Sequence, residues 1–290
     1  MANETAPLDT VLKSDLEILN LAVREDDGTG RYRVRAGRRV HYLEISPGEV
    51  DPIYDEDTMC QPSVLIPRLP PFPDSDWTTM QVSRGPAGEV EATVSYDPLD
   101  QVQRPWHPRH VDVLSLRPIA RYKQRVQEVE FEGRNVIAKI AIFEAYIPSI
   151  ELETSVYERI NEEQNPGNSP IAPKFFAHLT EQGRIIGFLL EKVEGEFASI
   201  SDLSKCQDAL KRLHAMGMLH GDPTRYNFVV ETSTGQVKMI DFEHADRYDG
   251  EKARLELEEL PAELADEDGW GASVTYVDGI KQAVGPVPLP

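Results

Sequence analysis

The sequence predicts an α+β protein in which antiparallel strands come first and a helix, a loop and a hairpin follow. Three observations support this prediction: alternating apolar and polar residues over 15–46, longer alternating runs over 111–140, and helical spacing of apolar residues over 204–216. With 290 residues, 40% of them hydrophobic, the chain can bury a substantial core and form one or two domains. We expect three parts: a β-rich, proline-rich region (1–110), a strand and helix region (111–193) and a shorter C-terminal region (194–290).

The N-terminal region is expected to contain a small antiparallel β unit, with strands at 32–35 and 40–45 joined by a turn at Gly37. Ten prolines fall from Pro52 to Pro108, so extended or polyproline segments are expected there. A second hairpin, formed by 79–83 and 90–96, is predicted to interrupt them.

The middle region begins with alternating segments at 111–114, 126–131 and 135–140, which we expect to form a meander. Lys139 lies near the end of the last strand, between apolar neighbours. Lysines on edge strands usually prevent aggregation. An apolar strand that ends in lysine is also the setting in which an ammonium binds the α- and β-phosphates of a nucleotide.

A helix is predicted over 151–161, where Glu153, Tyr157 and Ile160 share one face. This face would turn Glu153 towards the sheet, where it could pair with Lys139. The alternative is a solvated acid in the first helical turn, which the helix dipole also favours.

The C-terminal region carries the most specific motif. Residues 220–227 have the form H-x-D-x-x-x-x-N, and the apolar strand that follows ends in Asp241-Phe242. This is the layout of a phosphotransferase catalytic loop and its metal-binding strand. Asp222 would accept a hydroxyl proton, while Asn227 and Asp241 would hold Mg²⁺, a hard cation that prefers oxygen ligands. The alternative is a turn after a helix, with solvated acids.

The segments around the motif favour the catalytic interpretation. A helix is predicted at 204–216 with Gly217 as its C-cap, and a hairpin joins 228–230 to 237–240. Helix, loop, hairpin and Asp-Phe is the order that such a site requires.

The formal net charge of −20 argues against nucleic acid or an anionic membrane as a general partner, because a phosphate-binding surface needs clustered Lys and Arg. From Asp241 onward there are 13 acidic and 4 basic residues, so an acidic tail is expected, either as a solvated face or as a loosely ordered end. Cys60 and Cys206 lack a metal-type spacing, and the sequence has neither a signal peptide nor an apolar run of roughly 18 residues. These features favour the cytoplasm, with the nucleus as an alternative.

Lys139, Glu153, the segment 191–193, the His-Gly-Asp loop and Asp241-Phe242 follow one another as in the protein-kinase-like superfamily, which the chain resembles over roughly residues 111–250. Gly221 in place of arginine makes the loop more similar to those of aminoglycoside and choline phosphotransferases. The chain also resembles a group of fungal kinase-like proteins, some of which carry an alpha-galactosidase name. The segments that carry this second resemblance are 171–175, 180–190, Cys206, Leu213-His214 and the loop with its Tyr-Asn-Phe end. The repeating strand and helix units of a (β/α)₈ barrel are absent from the sequence.

The resemblance implies a bilobal protein-kinase-like fold, with 111–193 as the N-lobe, a truncated C-lobe over 194–290 and an extra N-terminal antiparallel β unit. It implies ATP and Mg²⁺ as cofactors. It also implies a role for each candidate: phosphate binding by Lys139 and its partner Glu153, adenine binding by the hinge backbone of Glu191, Lys192 and Val193, proton acceptance by Asp222, and metal binding by Asn227 and Asp241.

The sequence departs from the family pattern in several places. No glycine occurs in 116–124, where a glycine-rich loop is expected, so nucleotide binding should be weaker or use Arg121, Lys123 or Arg125. Glu243 replaces a glycine and could be a further metal ligand. Arg225 could neutralise the transferred phosphoryl, since its neighbour Thr224 stands where many protein kinases have a lysine. After Asp241 one convincing helix remains, 251–260, and no substrate-binding platform is predicted.

Three functions are compatible with these features. The first is an atypical ATP- and Mg²⁺-dependent phosphotransferase that acts on a hydroxyl of an unknown small-molecule or protein acceptor. The second is a pseudokinase-type nucleotide-binding or scaffold protein, motivated by the missing glycine loop and substrate platform. The third is a glycoside hydrolase that uses paired carboxylates, although no feature of the sequence identifies such a pair.

Overall fold

The computed structural model describes residues 9–24, 27–47, 52–85, 87–163 and 169–266, together with the backbone of three short strands beyond them. The chain divides into two compact units, residues 1–100 and 101–290. The predicted acidic tail is described up to Asp266 and contains the helix Gly250–Ala265, whereas the rest lies outside the described residues apart from the backbone of those three strands. Among the helices of the described residues, none has the length and apolar composition needed to cross a bilayer.

The first unit is built on a five-stranded sheet in the order β2-β3-β4-β6-β7, with β1 and β5 paired beside it. Neighbouring strands are antiparallel except β4 and β6, which run parallel. Trp77, Tyr32 and Phe72 are among its largest fully buried side chains. The strands of this unit are β1 (Thr10–Val11), β2 (Leu16–Val23), β3 (Gly30–Ala36), β4 (Arg39–Ile45), β5 (Phe72–Pro73), β6 (Thr79–Arg84) and β7 (Val90–Ser95).

The prediction of extended segments after Pro52 is wrong in part, because two short helices occur there, α1 (Glu56–Cys60) and α2 (Pro62–Arg68). Asp55 caps α1 by accepting a hydrogen bond from the Thr58 N–H. Pro62 occupies the first turn of α2, where a missing N–H costs nothing. The high proline content therefore did not exclude helices in this segment.

The second unit has the two lobes of the predicted kinase-like fold. Its N-lobe contains a seven-stranded sheet in the order β21-β9-β10-β11-β13-β12-β8. In the described part of the chain, its C-lobe contains two helices and the small sheets β14-β16-β17 and β15-β18, and β19 pairs with β20 near the C-terminal end. The helices of this unit are α3 (Ile147–Glu163), α4 (Leu203–Ala215) and α5 (Gly250–Ala265). The strands are β8 (His110–Asp112), β9 (Arg117–Lys123), β10 (Val126–Phe131), β11 (Arg134–Ile140), β12 (Phe175–Glu181), β13 (Arg184–Glu191), β14 (Gly195–Phe197), β15 (Met218–Leu219), β16 (Phe228–Glu231), β17 (Val237–Met239), β18 (Asp246–Arg247), β19 (Val274–Val277), β20 (Ile280–Ala283) and β21 (Val287–Pro288).

The meander of the N-lobe is β9-β10-β11, so the prediction that 111–114 is its first strand is wrong. Asp112 caps a short 3₁₀ turn that ends β8 after three residues, and β8 pairs parallel with β12 instead. The expected turn within 116–124 is the strand β9. It accommodates Pro118 next to a register shift, where a ladder hydrogen bond is already missing. The turn itself is shorter and lies at Gln124 and Arg125.

The local predictions around the motif are confirmed. Helix α4 covers the predicted 204–216 within one residue at each end, and Gly217 follows it with φ of +83°. Strands β16 and β17 form the predicted antiparallel hairpin. The predicted helix over 151–161 is α3, which begins four residues earlier at Ile147.

Candidate active site

Lys139 lies on β11, between β10 and β13, with Val126 and Phe188 opposite it in the sheet. Its side chain is only 6% exposed. The neighbouring position on β13 is Gly187, where a Cβ would lie 2.2 Å from the Lys139 carbonyl oxygen. Glycine therefore allows the two strands to approach closely beside the lysine.

The Lys139 ammonium joins three carboxylates from two other segments. Its Nζ is 2.5 Å from Glu153 Oε2 on α3, donates a hydrogen bond to Asp241 Oδ1, and lies 3.6 Å from Glu243 Oε2. Glu153 Oε1 also accepts a hydrogen bond from the Phe242 N–H (3.3 Å). The structure thus brings Lys139 and Glu153 of the N-lobe together with Asp241 and Glu243, which follow the hairpin of the C-lobe.

The charges of this cluster stabilise one another. Burial alone would lower the pKa of Lys139, but the three surrounding carboxylates raise it above its ordinary value. Burial raises the pKa of Glu153, opposed by the attraction of Lys139. Burial would also raise the pKa of Asp241, yet the nearby basic side chains, Lys139 foremost, bring it below its ordinary value. Asp241 is therefore held as a carboxylate.

Asp241 has a left-handed backbone conformation, with φ of +65°. Aspartate tolerates this conformation better than most residues. The next side chain, Phe242, is fully buried and packs against the rings of Tyr157 (5.4 Å between centroids) and His220 (5.1 Å). The buried ring and the turn before it fix the direction of the Asp241 carboxylate.

The His-Gly-Asp loop is held from behind by Glu256 of α5. Glu256 Oε1 accepts a hydrogen bond from the Gly221 N–H (2.7 Å), and Oε2 lies 2.6 Å from His214 Nε2 on α4. Burial would raise the pKa of Glu256, but the bonds to His214 and Gly221 lower it below its ordinary value. His220, which precedes Gly221, is fully buried, and burial lowers its pKa.

Gly221 cannot be replaced without moving the chain opposite it. Its φ is +78°, and a Cβ there would lie 1.8 Å from the backbone oxygen of His244. The arginine that many kinases have at this position does not fit this loop.

Asp222 and Asn227 are joined directly. Asn227 Nδ2 donates to Asp222 Oδ2 (3.0 Å) and to the Asp222 carbonyl (2.8 Å). The Asn227 carbonyl also accepts a hydrogen bond from the Ile240 N–H (2.9 Å), one residue before Asp241. The loop is therefore anchored to the segment that carries the acidic cluster.

The predicted hinge residues lie at the end of β13 and in the link to β14. Glu191 Oε2 binds Lys238 Nζ on β17 (2.8 Å), and Lys192 Nζ binds Glu128 Oε1 on β10 (3.2 Å). Val193 is half-buried between them and β14. The charged side chains of Glu191 and Lys192 are therefore both engaged in ion pairs.

Arg225 lies in the 3₁₀ turn Arg225–Asn227, and its Nη1 is 3.5 Å from the Asp266 carbonyl just after α5. Its guanidinium carbon is 5.6 Å from the centre of the Tyr226 ring. The Asp266 contact lies near the C-terminal end of α5.

The cluster has the chemistry of a divalent cation site. One oxygen from each of Glu153, Asp241 and Glu243 lies within 4.8 Å of the others. Oxygen-only donor sets suit Mg²⁺. Of these three, Asp241 and Glu243 are predicted metal ligands, whereas Glu153 is the predicted partner of Lys139, which it contacts. The third predicted ligand, Asn227, contacts Asp222 on the adjoining loop.

Sequence reasoning missed Glu256. The sequence feature that could have identified it is a charged residue on an otherwise apolar helix face. The other buried residues of α5 are Ala253, Leu260 and Leu264. A glutamate at such a position implies a buried partner. Here the partners are His214 and the loop backbone.

Comparison with known families gives a match over part of the chain. Residues 185–262 match the family described as "Lipopolysaccharide core biosynthesis protein (WaaY)". The matched segment runs from β13 into α5 and includes the His-Gly-Asp loop, Asp241 and Glu256. No curated protein matches the chain. Because the matched family consists of kinase-like phosphotransferases, this chain is similar to kinase-like transferases over 185–262, a segment that excludes Lys139 and Glu153.

Proposed function

We propose that this protein is an atypical ATP- and Mg²⁺-dependent phosphotransferase that acts on a hydroxyl group. The observation that carries the proposal is the meeting of Lys139 with Glu153 and Asp241, because it joins a strand of one lobe to the segment after the hairpin of the other. A lysine held by a buried glutamate beside a metal-binding aspartate is the arrangement that phosphoryl transfer requires.

In this proposal Asp222 accepts the proton of the attacking hydroxyl. The Asn227 amide nitrogen, 3.0 Å from Asp222 Oδ2, orients that carboxylate. An amide that donates through Nδ2 offers Oδ1 as a metal ligand. Asn227 can therefore serve both the base and the metal.

Lys139 binds phosphate oxygens, and Asp241, Asn227 and Glu243 hold Mg²⁺. The metal ion supplies charge neutralisation between the phosphates and the carboxylates. Glu153 keeps Lys139 charged and in place. The backbone of Glu191, Lys192 and Val193 binds the adenine, and Arg225 is the candidate for binding the transferred phosphoryl group.

The proposed partners are therefore a nucleotide and a hydroxyl-bearing acceptor in the cytoplasm. Aminoglycoside and choline phosphotransferases, whose loops this one resembles, support a small-molecule acceptor. The name of the matched family refers to lipopolysaccharide core, so an oligosaccharide hydroxyl is a second acceptor class to test.

A nucleotide-binding protein without turnover is the second candidate. It is favoured by the turn between β9 and β10, which consists of Gln124 and Arg125 and has no glycine to bring backbone amides close to phosphates. Weak or unproductive phosphate positioning would leave binding without transfer.

Two measurements on the full-length protein separate these candidates. Thermal shift with ATP, with and without Mg²⁺, measures binding, and radiolabelled transfer to aminoglycoside, choline and oligosaccharide acceptors measures turnover. Phosphate release to water provides a readout that needs no acceptor. We expect Mg²⁺-dependent stabilisation by ATP and turnover that Asp222→Asn lowers by roughly 100-fold or more. Binding with no turnover above that of Asp222→Asn would leave the second candidate, and no binding at all would reject both.

A further inference from the structure

The turn between β9 and β10 brings two basic side chains to the acidic cluster. Arg125 lies in the turn, and Lys123 is the last residue of β9. The Arg125 carbonyl accepts a hydrogen bond from the Ile140 N–H (3.0 Å), the residue after Lys139. The turn is therefore tied to the strand that carries the proposed phosphate-binding lysine.

The Arg125 guanidinium is held on two sides. Its Nη2 is 2.5 Å from Glu243 Oε2, and its central carbon lies 4.5 Å from the centre of the Tyr146 ring. The side chain is only 18% exposed. Its Nη1 is buried and has no hydrogen-bond partner among the described residues. A stacked guanidinium with one unbonded nitrogen is ready to accept a further oxygen ligand.

The surrounding charges are balanced. Lys123 Nζ lies 3.6 Å from Asp241 Oδ2 and is the more exposed of the two turn cations. The cluster consists of three basic and three acidic side chains, Lys123, Arg125, Lys139, Glu153, Asp241 and Glu243. Every cation of the cluster already has a carboxylate beside it, which weakens its attraction for a polyanion. A phosphate is therefore bound most strongly when it replaces the carboxylate beside a cation.

We propose that Arg125 is a phosphate-binding residue that takes the place of glycine-loop amides, and that Glu243 holds it until phosphate arrives. This inference rests on the proposed function. Phosphate oxygens replace Glu243 on the guanidinium, whose fork matches two phosphate oxygens at once. The exchange releases the Glu243 carboxylate towards Asp241 and the metal site. Glu243 thus holds Arg125 in one state and becomes available to a cation in the other.

An exchanging pair and a purely structural ion pair predict opposite changes in phosphate affinity when Glu243 loses its charge. If the pair only supports the fold, loss of either partner weakens ligand binding. If the partners exchange, loss of Arg125 weakens phosphate binding, whereas loss of the Glu243 charge strengthens it, because a competing carboxylate has been removed.

The test is isothermal titration calorimetry of the full-length protein with three probes: metal-free inorganic tripolyphosphate, ATP with Mg²⁺, and adenosine. The variants are Arg125→Ala, Arg125→Lys and Glu243→Gln. The charge-matched control is Arg117→Ala, which removes an exposed arginine of β9 that pairs with Glu130. Thermal melts of each variant without ligand verify folding, and Arg125→Lys serves if Arg125→Ala does not fold.

We expect Arg125→Ala to lower the affinity for tripolyphosphate and for ATP by roughly 10- to 100-fold, the range for loss of a charge-assisted hydrogen bond. Adenosine binding should not change, and Arg125→Lys should be intermediate because it keeps the charge without the fork. Glu243→Gln should bind tripolyphosphate more tightly than the wild type, and Arg117→Ala should match the wild type.

Unchanged phosphate affinity in Arg125→Ala and Arg125→Lys, or weakened tripolyphosphate binding in Glu243→Gln, would overturn this inference and leave the proposed phosphotransferase intact. A wild-type protein that binds neither ATP nor tripolyphosphate would overturn both.

Discussion

Glu153 Oε2 lies 2.5 Å from Lys139 Nζ, and both side chains are almost fully buried. The pair joins α3 to the N-lobe sheet, and Asp241 extends it to the segment after the hairpin. A buried ion pair adds little net stability by itself, but a single buried charge without its partner is costly. The stability of the unit and its proposed chemistry therefore depend on the same atoms.

Removal of one charge should destabilise the protein more than removal of two. We expect Lys139→Met to cost about 3–5 kcal/mol, because it leaves Glu153 buried without its cation. The double variant Lys139→Met/Glu153→Gln should recover part of this loss. Urea denaturation of the single and double variants measures the coupling. Strictly additive losses would contradict the prediction.

Two glycines with positive φ provide a matched pair. Gly217→Ala should cost about 1–2 kcal/mol, since only the left-handed backbone is penalised and no atom lies within 4 Å of the added Cβ. Gly221→Ala should cost clearly more, because the Cβ overlaps the His244 carbonyl. Denaturant midpoints of both variants test this order, and equal losses would show that the loop yields freely.

Glu256→Ala should loosen the His-Gly-Asp loop. The Gly221 N–H and His214 would lose a charged acceptor, at a cost of about 1.5–3 kcal/mol. We expect faster hydrogen exchange at 220–222, together with a lower kcat at similar nucleotide affinity. Glu258→Ala is the control on the same helix, because Glu258 forms an exposed pair with Arg254 that contributes at most about 1 kcal/mol. Similar exchange in the two variants would assign Glu256 no role in holding the loop.

Stability should fall on acidification because of His178. Burial lowers the pKa of His178 to about 4, from 6.5 in the unfolded chain, with smaller contributions from His110 and His107. Between these pH values the unfolded chain binds a proton that the folded chain does not. Stability therefore rises with pH in this window, and the loss reaches about 3 kcal/mol as the pH falls to 4.

The variant His178→Gln tests this prediction against the wild type, because glutamine keeps an acceptor for the His107 N–H but does not titrate. Its unfolding free energy should fall less steeply than that of the wild type between pH 6.5 and 4. Parallel curves would mean that His178 is not the group responsible.

The parts of the site that the sequence predicted are those set by local periodicity. The 3.6-residue spacing of α3 placed Glu153 on the sheet face, and Gly217 marked the end of α4, because each signal lies within a few residues of its consequence. The order of the motif residues along the chain supplied the rest of the prediction.

The parts that were missed depend on distant partners. Strand β8 pairs with β12 in parallel, and parallel pairing across intervening elements leaves no local pattern. Arg125 and Glu243 are each named from the sequence, but their contact joins residues 118 apart and was not predicted. Strand β9 was predicted as a turn because it contains proline, a residue that occurs both in turns and at strand edges.

The close packing of Gly221 against His244 has an evolutionary consequence. The His-Gly-Asp and His-Arg-Asp versions of this loop cannot be interconverted by one substitution, since the space for a side chain is already filled by main chain from another segment. A lineage that changed one version into the other would have to reshape the segment around His244 first.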